Sequence, residues 1–224
     1  MSIRDERKQQ SRQAILDAAL TLSTSGRSFS TISLREVARE AGLVPTAFYR
    51  HFQDMEELGS DLVDYVSIDL HHLLRSLRQG FQSQTDAPSK TRLRIEHFFH
   101  AVDLSANRWQ FLIGERWGGS PAVRNGIARE IRFFIEDLAQ DLSQFAEFKH
   151  LTLTDTQIMA DVLINLSFSW AMTWLGLRQT QTESSSPEAE AAREAYIQLT
   201  TRQTQLLFRG ISNWDSNTVA LKSE

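Results

Sequence analysis

A short segment near the N-terminus, residues 45–52, carries side chains that could read the bases of DNA. If Phe48 and Phe52 point inward, a helical rotation of about 100° per residue turns Thr46 and Arg50 almost directly outward. An arginine can donate two hydrogen bonds to guanine, and a threonine hydroxyl can bond several base edges. A short helix that presents this pair suits the major groove of DNA.

The neighbouring side chains extend this candidate surface. Ala47 lies beside the outward face, where its methyl group can contact a thymine methyl. Tyr49 and His51 lie at its sides, where the phosphates run. Arg35, on the preceding predicted helix, completes the set of predicted DNA contacts. A helical hairpin inside an ordinary bundle would show the same spacing, so these residues alone leave both interpretations open.

Other reactive residue types form no recognisable site. His71 with His72, and His97 with His100, could offer imidazoles to a metal, but the sequence shows no third ligand and no HExxH motif. No GxSxG, Walker or GxGxxG motif is present, and the absence of cysteine excludes thiol chemistry. We therefore predict no metal site, no resident cofactor and no enzyme activity.

The charge distribution limits a polyanion partner to the N-terminal part. Residues 1–52 contain eight Lys or Arg and five acids, whereas the remainder contains 16 basic and 23 acidic residues. The first residues lack the apolar stretch of a secretory signal. The longest uncharged run, residues 162–177, is shorter than the roughly 18 residues that a membrane span needs. We expect a cytoplasmic protein without membrane contact.

The elements that position the candidate residues are all predicted to be helices. Each of the four prolines stands where a helix could begin, and no alternating strand pattern with a hairpin turn occurs. The spacing predicts an all-α fold of nine helices: 4–24, 33–41, 45–51, 54–80, 88–105, 107–116, 120–147, 154–179 and 187–212.

Local signals mark the ends of these helices. We predict capping boxes at Ser33 with Glu36, at Asp54 with Glu57, and at Thr154 with Gln157. Ser-Pro pairs at 120–121 and 186–187 are typical helix starts. Gly42 suits a left-handed helix exit, and Leu43 with Phe48 could form a hydrophobic staple. The helix lengths place a domain boundary after residue 52, giving domains 1–52 and 53–214 and a flexible tail at 215–224.

Residues 33–52 resemble the DNA-binding domain of TetR-type transcriptional regulators, including the sequence Phe-Tyr-x-x-Phe at 48–52. The likeness extends to residues 114–120 and 128–131, which resemble the FabR/DesT branch of repressors of unsaturated fatty-acid synthesis. Gly114 departs from an arginine of that branch, and Val44 departs from the usual hydroxyl-bearing cap. The resemblance implies a nine-helix regulator of the repressor type, with a helix-turn-helix domain and a larger ligand-binding and dimerisation domain.

The resemblance also implies a hydrophobic ligand cavity in the larger domain. An aromatic-rich stretch at 98–117 supplies candidate lining residues, and Arg116 is a cation that could hold an anionic head group. The implied effector is a long-chain acyl-CoA or acyl-carrier-protein thioester. The predicted ligand contacts are Phe98, Phe99, Val102, Trp109, Phe111, Arg116 and Trp117.

The last two predicted helices are apolar on nearly every side and so need a second covering surface. A two-fold operator is read by a dimer, so we predict a homodimer interface there, with Trp170, Trp174 and Phe208 as its residues. The predicted partners are therefore a palindromic double-stranded DNA operator, a second copy of the chain and a lipid effector.

Two other functions are also compatible with the sequence. A multidrug-type regulator would take aromatic cations, which requires buried acids facing aromatic rings. An amphipathic scaffold would have no DNA role and would show no salt-dependent DNA binding.

Overall fold

The computed structural model describes residues 3–79, 88–179 and 187–214, and those residues form α-helices joined by turns, with no strand among them. The all-α prediction is confirmed. The helices of the described residues are α1 (Ile3–Ser23), α2 (Leu34–Glu40), α3 (Pro45–Phe48), α4 (Met55–Gln79), α5 (Pro88–Leu104), α6 (Ala106–Glu115), α7 (Pro121–Gln144), α8 (Leu153–Gln179) and α9 (Pro187–Ser212).

The predicted cap residues are confirmed at three helices and shift at one, and the predicted cap Ser186 lies outside the described residues. Ser33 and Glu36 form the full capping box of α2, Asp54 accepts the first amides of α4, and the Ser120 hydroxyl accepts the Val123 amide at 3.4 Å. At α4 the box itself is not closed, because Glu57 accepts the Gln53 amide and not that of Asp54. At α8 the prediction was wrong by two residues, because Thr152 is the cap and Asp155 returns the bond. A hydroxyl followed three positions later by a carboxylate or amide occurs twice in that stretch.

Some helix ends also differ from the prediction. α3 ends at Phe48 and not at residue 51, although turn hydrogen bonds continue the backbone to Phe52. α7 ends at Gln144 and a short 3-10 turn, Ala146–Phe148, follows it. The predicted tail at 215–224, and the predicted loop at 179–186 beyond Gln179, lie outside the described residues.

The chain divides into two compact units. The N-terminal unit comprises Met1–His72 with Ser105–Glu130, and the C-terminal unit comprises Leu73–Leu104 with Ile131–Glu224. The first part of α4, all of α6 and the first part of α7 therefore pack with the N-terminal helices. The proposed boundary at residue 52 stays a prediction about domains.

The core of the N-terminal unit is built around aromatic rings. Phe48, Phe52, Trp109 and Phe111 are fully buried with apolar residues of α1 and α4. Full burial of such a side chain stabilises the fold by about 1.5–3 kcal/mol. The two phenylalanines that close the recognition segment are therefore anchors of this core.

The C-terminal unit has two apolar groups. In the first, the Phe99 ring stacks on Trp174 at a centroid distance of 4.3 Å, with Phe98, Trp170 and Tyr196 around it. The second, near the end of α7, consists of Ala139, Leu142, Phe148, Met159 and Ala160, with Phe208 packed against it.

Helix α8 is the one described helix that is long and apolar enough to cross a membrane by length and composition. Its window is 44% buried, and the core helices of soluble proteins pass the same test. Membrane contact therefore gains little support from this helix.

Candidate DNA-binding surface

A glycine turn sets the angle between α2 and α3. Gly42 has φ +68°, the left-handed conformation that costs glycine little. Its amide donates to the Arg39 carbonyl at 3.1 Å, and the Leu43 amide donates to the Ala38 carbonyl at 2.8 Å. This pair of bonds is the Schellman motif, which closes the end of α2 and starts the chain toward α3.

As the sequence predicts, no side chain caps the N-terminus of α3. Val44 occupies the cap position, its side chain makes no capping hydrogen bond, and Pro45 follows at the first helical position. A cap without a hydroxyl leaves the amide of Thr46 to water or to an outside acceptor such as a phosphate. Thr46 itself is exposed.

The inward and outward sides of α3 are sharply different. Phe48 and Phe52 are buried, with ring centroids 5.6 Å apart, and the Arg12 guanidinium lies 5.2 Å from the Phe52 centroid. Thr46, Arg50 and Tyr49 are exposed, the last at 64%, and Ala47 is half-buried beside them. Arg35 on α2 is also exposed. Contact of these five residues with DNA stays a prediction, but the fold leaves them accessible.

His51 lies differently from the prediction, because its ring turns toward α1. The Ser11 hydroxyl donates to the backbone of α1, so it accepts a hydrogen bond from His51 Nε2 at 2.9 Å. Nδ1 is buried with no hydrogen-bond partner in the described part of the chain. The side chain is thus engaged in joining α3 to α1, and we withdraw it as a phosphate contact.

The electrostatics of His51 identify a positive surface around it. Its pKa lies below the ordinary value of 6.5, first because of burial and then because of the charges of Lys8, Arg12 and Arg50. Three cations close enough to oppose protonation of one imidazole form a local positive field, which the pairing of Arg12 with the Asp61 carboxylate partly offsets. Such a field attracts the phosphate backbone of DNA. Lys8 and Ser11 were not among the predicted contacts, because only the packing of α1 beside the end of α3 brings them to this surface.

The predicted ligand residues fall in both compact units. Phe98, Phe99 and Val102 are buried in the C-terminal unit, whereas Trp109 and Phe111 belong to the core of the N-terminal unit. These two are separated from the other three by unit and not by burial, since Phe99 and Val102 are equally covered, and their contact with a ligand stays a prediction.

At the end of α6, the structure differs from the predicted ligand contacts. Trp117 is 83% exposed, so it is not a wall of an apolar cavity, and the Arg116 guanidinium lies 5.7 Å from its ring centroid. Two carboxylates of this region, Glu115 and Glu130, are already engaged with other groups of the chain. Glu115 accepts the Phe29 amide at 2.7 Å, and Glu130 pairs with Arg129 at 3.1 Å.

Two of the predicted interface residues are buried within their own chain. Trp170 and Trp174 are 7% and 8% exposed, and the Trp170 indole donates to Gln203 at 2.8 Å. Phe208 packs on Phe148 at 5.8 Å between centroids. A side chain already covered has little area to offer a second copy, so the assignment of Trp170 and Trp174 is corrected. The exposed apolar residues of α8 and α9 include Ile158, Val162, Met172, Leu199 and Leu206.

Within the described ranges, no group of three or more histidine, aspartate or glutamate side chains could hold a metal ion. His97 and His100 are exposed on α5, and His71 Nε2 lies 3.5 Å from the Glu130 carboxylate.

Comparison with known families matches both parts of the chain. Residues 15–61 match the family model described as "Bacterial regulatory proteins, tetR family", and residues 89–203 match "Tetracyclin repressor-like, C-terminal domain". The second match alone covers more than half of the chain.

Solved structures of the same fold extend over nearly the whole chain. The fatty acid degradation regulator FadR from Bacillus halodurans is 14% identical, with a TM-score of 0.60 over 85% of this chain and 94% of its own. FadR from Bacillus subtilis, solved in complex with stearoyl-CoA, is 15% identical, with a TM-score of 0.58 over 84% and 96%. A TetR-type regulator from Syntrophomonas wolfei is 14% identical, with a TM-score of 0.64 over 89% and 95%. At these identities the likeness establishes the fold.

Proposed function

Because the chain belongs to the tetR family of bacterial regulatory proteins, we propose that it is a homodimeric repressor of fatty-acid metabolism genes in the cytoplasm. Each copy reads one half of a palindromic operator, and a long-chain acyl thioester changes the affinity for that operator. No resident cofactor is part of this proposal.

The exposed face of α3 carries the DNA-binding part. Thr46 lies on α3, and Tyr49 and Arg50 lie in the turn that follows it; all three are exposed. The cations Lys8 and Arg12 lie close to His51 in the same turn. Base-reading groups beside phosphate-binding charges are what specific recognition in the major groove requires.

Two DNA-binding domains on one operator require a dimer. The exposed apolar side chains of α8 and α9 offer a surface for the dimer interface. Ile158 and Val162 are one turn apart, and Met172 lies farther along α8. Leu199 and Leu206 are seven positions apart on α9, which places them on one face. Apolar residues in rows on neighbouring helices favour a helical interface between two copies.

Three observations support a lipid effector. The sequence resembles the FabR/DesT branch at residues 114–120 and 128–131. Two solved structures of the same fold are named as fatty-acid regulators, and one of these contains stearoyl-CoA. The C-terminal unit also contains the apolar group in which Phe99 stacks on Trp174. Each methylene of an acyl chain that is buried in such surroundings would gain about 0.8 kcal/mol.

The structure changes the residues that we propose for the lipid site. Phe98, Phe99 and Val102 remain, because they lie on one helix of the C-terminal unit. Arg193 replaces Arg116 as the proposed contact of the anionic head. Its guanidinium lies 5.7 Å from the centroid of Trp174, and the Trp174 ring stacks on Phe99.

The alternative effector, an aromatic cation, is less well supported. The buried acids of the described residues are Glu115 and Glu130. Glu115 accepts hydrogen bonds from Ser28 and Phe29, and Glu130 pairs with Arg129 and His71. Neither carboxylate is left to balance the charge of a cationic drug.

Operator affinity measured with saturated and unsaturated acyl thioesters of equal length tests this function. The DNA probe is the duplex that the protein selects from a random library. Its binding is measured by fluorescence anisotropy at a fixed salt concentration. A ligand changes operator affinity only through its different affinities for the two states of the regulator. We expect the two thioesters to give different DNA-binding curves. Identical binding curves with the saturated thioester, with the unsaturated thioester and without either would refute lipid sensing but not DNA binding.

Arg193→Ala provides the residue-level test of the lipid site, with Arg116→Ala as the matched control. Both changes remove one half-buried guanidinium that lies over a tryptophan ring. We expect only Arg193→Ala to weaken the response to the thioester, and an equal response in both variants would remove Arg193 from the site.

A further inference from the structure

A buried carboxylate joins the end of α6 to the loop between α1 and α2. Glu115 is 3% exposed, its Oε1 accepts the Phe29 amide at 2.7 Å, and its Oε2 accepts the Ser28 hydroxyl at 3.2 Å. Burying a carboxylate is unfavourable unless hydrogen bonds compensate for the lost water. The bonds to Ser28 and Phe29 therefore hold these two segments together, 86 positions apart in the sequence.

A pair of glycines lets the two segments approach. Gly118 and Gly119 follow α6, and neither has a positive φ, so backbone conformation does not demand glycine at these positions. Space demands it instead. A Cβ on Gly118 would overlap the Glu115 carboxylate, and a Cβ on Gly119 would overlap the Ser30 side chain.

The Phe29 ring fixes the same loop from the other side. It is buried against α4 and α7, at a place where Gly59 leaves room for it. A Cβ on Gly59 would lie 2.7 Å from Val123 Cγ2 and 2.9 Å from the Phe29 ring. The loop is thus held by three helices of the N-terminal unit.

Short-range bonds connect this loop to α2. Arg27 donates to the Glu36 carboxylate and to the Thr31 carbonyl, each at 2.8 Å. Glu36 also closes the capping box with Ser33. The hydrogen bond from Arg27, with further bonds from Ser33, lowers the pKa of Glu36 to about 2, so this carboxylate stays charged near neutral pH. Residues 27–36 therefore move as one block with α2, and the Schellman turn connects α2 to α3.

We propose that Glu115, Gly118 and Gly119 form a clamp on residues 28–30 that sets the position of the α2–α3 pair. In the dimer, this clamp determines the distance between the two DNA-reading helices and hence the preferred spacing of the two half-sites. Glu115 is a positioning residue, since it touches no DNA. The inference rests on the proposed function, in which a dimer binds two half-sites. It adds the contact that sets the preferred spacing of those half-sites.

Gly119→Ala in the full-length chain tests the clamp, because its new Cβ must push Ser30 away. Gly114→Ala is the matched control: it lies one position before Glu115, in the same helix, and its Cβ meets nothing within 4 Å. The double variant Gly119→Ala with Ser30→Gly restores the space. The DNA probes are the duplex selected by the wild-type chain and versions with one base pair added or removed between the half-sites.

We expect Gly119→Ala to change the ratio of affinities for these duplexes by about tenfold, which corresponds to about 1.4 kcal/mol. Gly114→Ala and the double variant should keep the wild-type ratio. An equal loss on every duplex, with a lowered melting temperature, would indicate a merely structural role and overturn the clamp.

Hydrogen exchange of the Phe29 amide gives a readout that needs no DNA. In Glu115→Ala this buried donor loses its acceptor, so local opening becomes easier and exchange should accelerate at least about tenfold relative to Gly114→Ala. Unchanged exchange would overturn the clamp even if the wild-type chain selected a duplex. Failure of the wild-type chain to select any duplex would refute the proposed function, while faster exchange would still support the contact.

Discussion

Replacing Arg50 by alanine separates base reading from general attraction to DNA. Arg50 is exposed after the end of α3, and its backbone amide donates to the Ala47 carbonyl at 3.2 Å. Alanine keeps that bond, and an exposed side chain contributes little to the core. The variant should therefore fold and dimerise as the wild-type chain does, so that only the DNA contact changes.

The expected loss follows from the kind of contact. A good two-bond arginine–guanine contact contributes about 1–3 kcal/mol of discrimination. A two-fold operator contains the contact once in each half-site, which gives about 2–6 kcal/mol for the dimer, or roughly 30-fold to 10⁴-fold in affinity. On a random duplex the same change removes one positive charge per copy and so costs much less.

Fluorescence anisotropy on the selected operator and on a random duplex, at the same salt concentration, measures both losses. Arg132→Ala is the charge-matched control, because Arg132 is exposed on α7 in the C-terminal unit. We expect Arg50→Ala to lose affinity mainly for the operator and to tolerate substitution at one base pair in each half-site. Equal losses on both duplexes would remove Arg50 from base readout, and no loss on either would refute its contact with DNA.

Three further predictions use other parts of the structure. Tyr49→Phe should weaken operator and random duplexes alike, as expected for a phosphate contact, and a loss confined to the operator would contradict it. Because burial and nearby cations lower the pKa of His51 in the folded chain, the unfolded chain binds more protons, so stability should fall as pH drops below about 6.5. His51→Gln should reduce this slope in urea unfolding at several pH values, and an unchanged slope would argue against the burial. Leu206→Glu, at a 71% exposed position, should split the dimer in sedimentation without lowering the melting temperature of the chain. Trp170→Glu should instead unfold the chain, because it places a charge in the core. A folded monomer of Trp170→Glu would indicate that Trp170 belongs to the dimer interface after all.

The local structure of this chain is readable from its amino-acid sequence alone. Proline at helix starts, the Ser33 and Glu36 capping box, and Gly42 as a left-handed exit all involve residues within five positions of one another. Such interactions depend on neighbouring residues, so their signals are readable without the fold. The inward side of α3 was readable for the same reason, since helical rotation places Phe48 and Phe52 together. Where two local signals competed, as at Thr152 and Thr154, the sequence did not decide between them.

What covers each helix face depends on how the helices pack, which the sequence pattern does not show. Helical periodicity groups apolar residues but does not say whether the chain or a second copy covers them. It therefore misplaced Trp170 and Trp174, whose rings lie against Phe98 and Phe99 of α5 within their own unit. Polar partners far apart in sequence were equally hidden. His51 meets Ser11 across 40 positions and Glu115 meets Phe29 across 86, because packing alone brings α1 beside α3 and the α6 end beside the first loop.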